Sequence, residues 1–166
     1  MKTKGVLAKA LETELIALLE GGHAHATFDD AVKDFPAELQ GKVPKGLPYS
    51  GWQIVEHLRI TQKDMLDFST NDDGSYKARK WPDQYWPKDA APPNDKAWKK
   101  TIDAIHADRA AFLKLLNDAD KAALIEPFAW GDGQNLLKEA LQMADHNSYH
   151  IGELIVVRRL LGAWKK

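Results

Sequence analysis

From Asn135 to Leu161 the chain runs 27 residues without a proline. Leu136, Leu137, Ala140, Ala144, Ile151, Leu154 and Ile155 recur there at three- and four-residue spacing, which predicts a helix with one apolar face. At ~1.5 Å per residue such a helix is about 40 Å long, and Gly162 suits the left-handed position just past its end. An apolar stripe of that length must be buried against other elements, and the pattern supplies three partners. Val6, Leu7, Ala10, Leu11, Leu15, Ile16 and Leu19 predict a helix over about 4–20, stopped by Gly21–Gly22. Ser50 with Gln53 forms a capping box that opens a helix from 51 to about 70. Asn94 caps a third, with Trp98, Ile102, Ile105, Phe112 and Leu116 as its apolar marks and Asn117–Asp118 as its end. No segment alternates as a strand does. The expected fold is all-α, a four-helix bundle with long connections, organised as a single domain over 1–166.

The connections carry signals of their own. Thr27, followed by Asp29 and Asp30, can cap a short helix that Pro36 closes, after which the prolines and glycines of 36–48 read as connection, the segment being linker with one helical turn or two. Residues 71–93 hold Asn71, Asp72, Asp73, Gly74 and four prolines, so no regular element is expected there. The segment WPDQYWP (81–87) nonetheless places three large aromatics in that loop, which predicts that it folds back onto the bundle or meets a partner. Residues 118–133 form a second connection.

What the chain lacks narrows its chemistry. Cysteine is absent, which excludes a disulfide framework, thiolate ligands and a cysteine nucleophile, and leaves His, Asp and Glu as metal ligands. With 23 basic residues against 24 acidic ones the formal net charge is -1, which argues against nucleic acid and acidic membrane surfaces as partners. No stretch approaches the roughly 18 uninterrupted apolar residues of a spanning helix. Glu12 and Glu14 interrupt the apolar run that follows Lys2 and Lys4 before it reaches export length. The expectation is a cytoplasmic protein with no nucleic-acid and no membrane partner.

His146 and His150 lie four residues apart on the last helix, so both imidazoles fall on one face and can reach one ion. At ~100° per residue they sit roughly 90–130° from the centre of the apolar face, in a stripe with Glu139, Met143, Glu153 and Val157 that suits a polar pocket better than an apolar interior. His57 is placed in the same way, beside Ile54, Val55, Leu58, Met65 and Leu66 and in line with Gln53, Thr61 and Asp64. Three neutral imidazoles from two helices leave at least one coordination position for water or substrate, which is the catalytic kind of site. The plain alternative is a set of solvated surface histidines. Asn147 follows His146 where a zincin carries its glutamate base, so peptide hydrolysis of that kind is disfavoured. His23 and His25, beside Gly21–Gly22, read as loop or capping residues, and His106 as a packed or surface histidine.

The segments GWQIVEHLRITQKDMLDFS (51–69) and WGDGQNLLKEALQMADHNSYHIGEL (130–154) closely resemble the DinB-like superfamily, also called the DinB/YfiT family of metalloenzymes. The resemblance extends over nearly the whole chain, including GGHAHATFDDA (21–31), and is most specific at HNSYHIGEL (146–154). It implies an up-down-down-up topology. It also implies a divalent transition metal, zinc or nickel first and iron or manganese next, held by the residues matching His57, His146 and His150. Some relatives are thiol-dependent S-transferases using bacillithiol, mycothiol or glutathione, and some are isomerases with thiol cofactors. A fold and a metal site do not choose among these.

Two functional readings follow. In the first the protein is a metalloenzyme for a small-molecule substrate, in which the metal lowers the pKa of a thiol or water. Glu153 is then the candidate catalytic residue, for proton transfer or for support of the histidines, with Asp64 and Gln53 behind it. A low-molecular-weight thiol is the implied second cofactor, and Trp130 and the 81–87 loop are candidates for a pocket wall, for packing or for a homodimer contact. In the second reading the protein is a non-catalytic metal-binding stress-response or interaction module, and a bundle without metal stands behind both. Metal affinity is expected to fall as pH drops through the imidazole range. Gly152 lies where a glycine costs about 1 kcal/mol relative to alanine, and is expected to let a neighbouring backbone approach closely beside the site.

Overall fold

The computed structural model describes residues 2–21, 24–120 and 122–164, and every regular element among them is a helix. These are α1 (Lys2–Glu20), α2 (Phe28–Val32), α3 (Ala37–Gln40), α4 (Gly51–Ser69), α5 (Asp95–Asp118) and α6 (Leu136–Leu160). The expected caps are present. Ser50 accepts from the Gln53 N–H while the Gln53 side chain returns to Ser50, and Thr27 and Asp30 make the same reciprocal pair at α2. Asn94 and Asn135 accept from the N–H groups of Lys96 and Lys138. Gly22 and His23 lie outside the described residues.

Two local expectations need correction. Pro36 does not simply close the short helix: it is the N-cap of α3, at φ -57°, where its missing N–H costs nothing. The one or two helical turns expected in this linker are thus split between α2 and α3. In α1, only Leu15 and Leu19 of the predicted apolar marks are fully buried, whereas Val6 and Leu7 are exposed. Apolar spacing specifies a helix but not how far along it partners extend.

The four long helices pack α4 against α5 and α6, and α1 against α5 and α6, so that these pairings close a ring. Thr101 of α5 donates to Glu56 of α4, and Gln62 of α4 donates to the carbonyl of Ile105 of α5. Toward α6 the order reverses, with His57 meeting His150 and Thr61 meeting His146. The apolar interior falls into two clusters. Phe28, Phe35, Ile54, Val55, Leu58, Ile151 and Leu154 belong to one, and Leu15, Leu66, Phe112, Leu116, Ala140 and Met143 to the other. Along α4 and α6, a polar layer lies between them. Its buried members include His57, Thr61, Gln62 and His150.

The close approach expected at Gly152 is not there. A Cβ added at Gly152 would meet nothing within 4 Å, because this position faces solvent between the inward-facing Ile151 and Leu154. Neighbours do require glycine at Gly41, where an added Cβ would lie 2.8 Å from the Ala91 Cα, and at Gly51, where it would lie 2.4 Å from Phe35 Cε1. Gly152→Ala is therefore expected to raise stability by up to about 1 kcal/mol through helix propensity alone. Thermal melting checks this, and a lower melting temperature would contradict the open face.

Candidate metal centre

Burial and hydrogen bonding together define the state of the three histidines. His57 is 1% exposed and His150 7%, so neither is a surface histidine. Their Nε2 atoms converge: His57 Nε2 lies 3.1 Å from His146 Nε2 and 3.1 Å from His150 Nε2. Each outer nitrogen has an acceptor. His57 Nδ1 donates to the Tyr85 carbonyl at 2.8 Å, and His150 Nδ1 donates to Glu153 Oε2 at 2.7 Å. Thr61 spends its hydroxyl proton on the His57 carbonyl at 2.9 Å, so its oxygen accepts from His146 Nδ1, at 3.4 Å. With the protons on Nδ1, all three Nε2 lone pairs point at one another.

That arrangement is repulsive unless a cation lies among the nitrogens. Two ligand nitrogens at ~2.0–2.1 Å from one ion in a tetrahedral site lie about 3.4 Å apart, close to the spacing seen. His57, His146 and His150 form a group able to hold a metal ion, with ligand atoms all within 4.8 Å of one another. Burial holds the imidazoles neutral. It is the largest influence on His146 and His150, each pushed down to about 4 with help from the neighbouring rings, and it lowers His57 as well. Neutral imidazole is the form that ligates.

The family model described as the DinB superfamily matches residues 22–154, four-fifths of the chain and all three histidines. The chain belongs to the DinB superfamily. Comparison with curated proteins finds no match, and comparison with solved structures finds none. No helix among the described residues is long and apolar enough to cross a membrane.

In this DinB-superfamily chain the connection 71–93 covers the histidines on the α4 side, burying His57, while His146 stays half-buried at the edge of a groove. The connection descends α4 as a strap. Ser50 Oγ donates to the Ala90 carbonyl at 2.5 Å, Gln53 Nε2 to Pro87 at 3.3 Å, and His57 to Tyr85. Farther down, Asp64 accepts from the Tyr85 hydroxyl at 2.7 Å and from Tyr76 at 3.3 Å, and meets Arg79 at 3.5 Å. Burial and Asp64 push the Tyr76 phenol up to about 12, so it remains a donor. Gln53 and Asp64, weighed above as chemical candidates, thus anchor the strap. Its Trp86 ring stacks on His57 at 3.8 Å and 5°, and Tyr49 stacks on the other face of Trp86 at 3.8 Å. The 81–87 loop folds back onto the bundle, and Trp86 walls the centre.

Other residues fall outside it. Trp130 stacks on Phe128 and donates to the Phe68 carbonyl at 2.8 Å, a packing role. His106 contacts Asp29 at 2.7 Å and packs edge-on against Phe28, and His25 bonds the Ala26 carbonyl. Asn147 donates to the buried Gln62 amide, which ties α6 through Gln62 to α5. Trp86 and Thr61 carry no ligand signature in the sequence. Only the aromatic density of 81–87 pointed toward the former.

Proposed function

We propose that this chain is a metal-dependent enzyme whose divalent ion is held by His57, His146 and His150. The carrying observation is the convergence of three Nε2 lone pairs, each fixed by an acceptor on the opposite ring nitrogen. Hydrogen bonds of this kind set the tautomer and orientation of a ligating histidine. When bound, an ion in this position supplies Lewis acidity that favours the anionic form of a thiol or water. Glu153 serves here as a positioning residue, since its carboxylate is committed to His150 Nδ1. The Tyr85 carbonyl does the same for His57, and the strap with Trp86 excludes water from that side. A groove of about 490 Å³ opens beside His146 and offers a substrate its approach. The contact order along α4, which rises with α5 and falls with α6, supports an up-down-down-up bundle folded as one domain.

Thiol-dependent transfer is the reaction class this reading favours, with a small thiol as co-substrate. The test is a screen of zinc- and nickel-loaded protein with glutathione, bacillithiol and mycothiol against electrophilic acceptors. Turnover that needs both metal and thiol and is lost in His150→Ala is the expected result. Stoichiometric metal with no thiol-dependent turnover would favour the non-catalytic module instead.

A further inference from the structure

The groove beside His146 contains a buried carboxylate that the metal centre does not use. Glu139 lies two turns before His146 on α6, is 5% exposed, and lines this groove. Its carboxylate takes part in no hydrogen bond or ion pair among the described residues, and opens to the groove. Asp64 faces it from α4, near enough that the two carboxylates repel. The charge of Asp64 is met by Arg79, Tyr76 and Tyr85 at contact distance, whereas Glu139 has only the longer-range attraction of its neighbour Lys138. Lys138 is the groove's one cationic wall residue and is exposed. Glu139 also sits in the first turn of α6, where the positive end of the helix favours the ionised form.

Burial disfavours the charge of Glu139, and a cation bound in the groove offsets that cost. The rest of the wall suits such a ligand. Tyr76, Tyr85 and Trp81 line the groove with aromatic surface, and Trp81 is 70% exposed at its edge. Aromatic faces beside a carboxylate are the chemistry that holds an ammonium group. We propose that this groove binds a small molecule bearing a primary ammonium group, paired with Glu139 and flanked by the Tyr76, Tyr85 and Trp81 rings. Amine binding itself needs no metal. Its standing as substrate binding rests on the metal-centre reading above, so the test is run on both metal-free and zinc-loaded protein.

The probes are 2-phenylethylammonium and its neutral counterpart 2-phenylethanol, titrated calorimetrically into the full chain. The ammonium is expected to bind at least about tenfold more tightly. Glu139→Gln should abolish that preference, and Lys138→Ala should keep or enlarge it. Equal affinity for the two probes, no saturable binding of the ammonium, or a preference that survives Glu139→Gln would overturn the proposal. If the Gln variant does not fold, the ¹³C carboxyl resonance of Glu139 in the unaltered chain decides. It should move with the ammonium and not with the alcohol, and a resonance that ignores both would overturn the proposal. Amine binding without metal uptake would remove the metal reading alone, and metal uptake without amine binding would remove this one alone.

Discussion

His57→Phe is expected to lose tight metal binding while the chain stays folded. The substitution keeps a ring to stack on Trp86 and removes both nitrogens. Two imidazoles on α6 remain, one ligand short of the three that catalytic sites of this type provide. Affinity should fall by more than the about 10–100-fold that loss of an outer hydrogen-bond partner costs. Glu153→Gln supplies that smaller comparison, because it weakens the acceptor on His150 Nδ1 without removing a ligand. Competition against a chromophoric chelator measures both. Equal affinity in His57→Phe and the parent chain would take His57 out of the site.

Acid should destabilise the metal-free protein well before its carboxylates are fully protonated. In the unfolded chain His146 and His150 take up protons near the ordinary value of 6.5, whereas burial in the fold delays this to about 4. The unfolded state therefore binds more protons between these values, and their contribution to stability is complete above 6.5 and is lost as pH falls toward 4. The summed loss is on the order of a few kcal/mol. A His146→Leu/His150→Leu double variant should show a flatter decline in melting temperature from pH 6.5 to 5, and an unchanged slope would contradict this. The same burial moves the pH dependence of metal binding. Spacing alone predicts a loss of affinity through the ordinary imidazole range, but imidazoles held neutral by the fold compete with protons only at lower pH. Affinity should therefore begin to fall at a lower pH than it would for free imidazoles.

The parts of this molecule that are legible in the sequence are the local ones. The boxes at Ser50–Gln53 and Thr27–Asp30 are hydrogen bonds between residues three apart, and they mark α4 and α2 wherever the rest of the chain goes. The His146–His150 pair is visible for the same reason. Its meeting with His57 across 89 residues is suggested only by matching positions on two helices and by the DinB resemblance. That 81–87 folds back was legible in its aromatics. Where the strap lands on α4 was not, because its contacts to Ser50, Gln53 and His57 run through the carbonyl oxygens of Ala90, Pro87 and Tyr85, which carry no side-chain signature. Hence Gln53 and Asp64, sharing a stripe with His57, resembled chemical groups. The polar stripe of α6 read as a pocket lining, and Glu139 and His146 of that stripe do line a groove. Gly152 shows a further limit. A helical glycine signals a propensity cost, and nothing local tells whether a neighbour or solvent faces it.

Three converging imidazoles, those of His57 and His150 buried and that of His146 half-buried, are proposed to hold one ion. The most direct measurement is elemental analysis of the chain purified without a histidine tag, with X-ray absorption at the edge of whatever metal is found. The account predicts about one divalent transition metal per chain, with three imidazole nitrogens at ~2.0–2.1 Å if the metal is zinc. A chain that takes up no stoichiometric metal after incubation with excess zinc or nickel, or a bound metal lacking imidazole ligands, would contradict it.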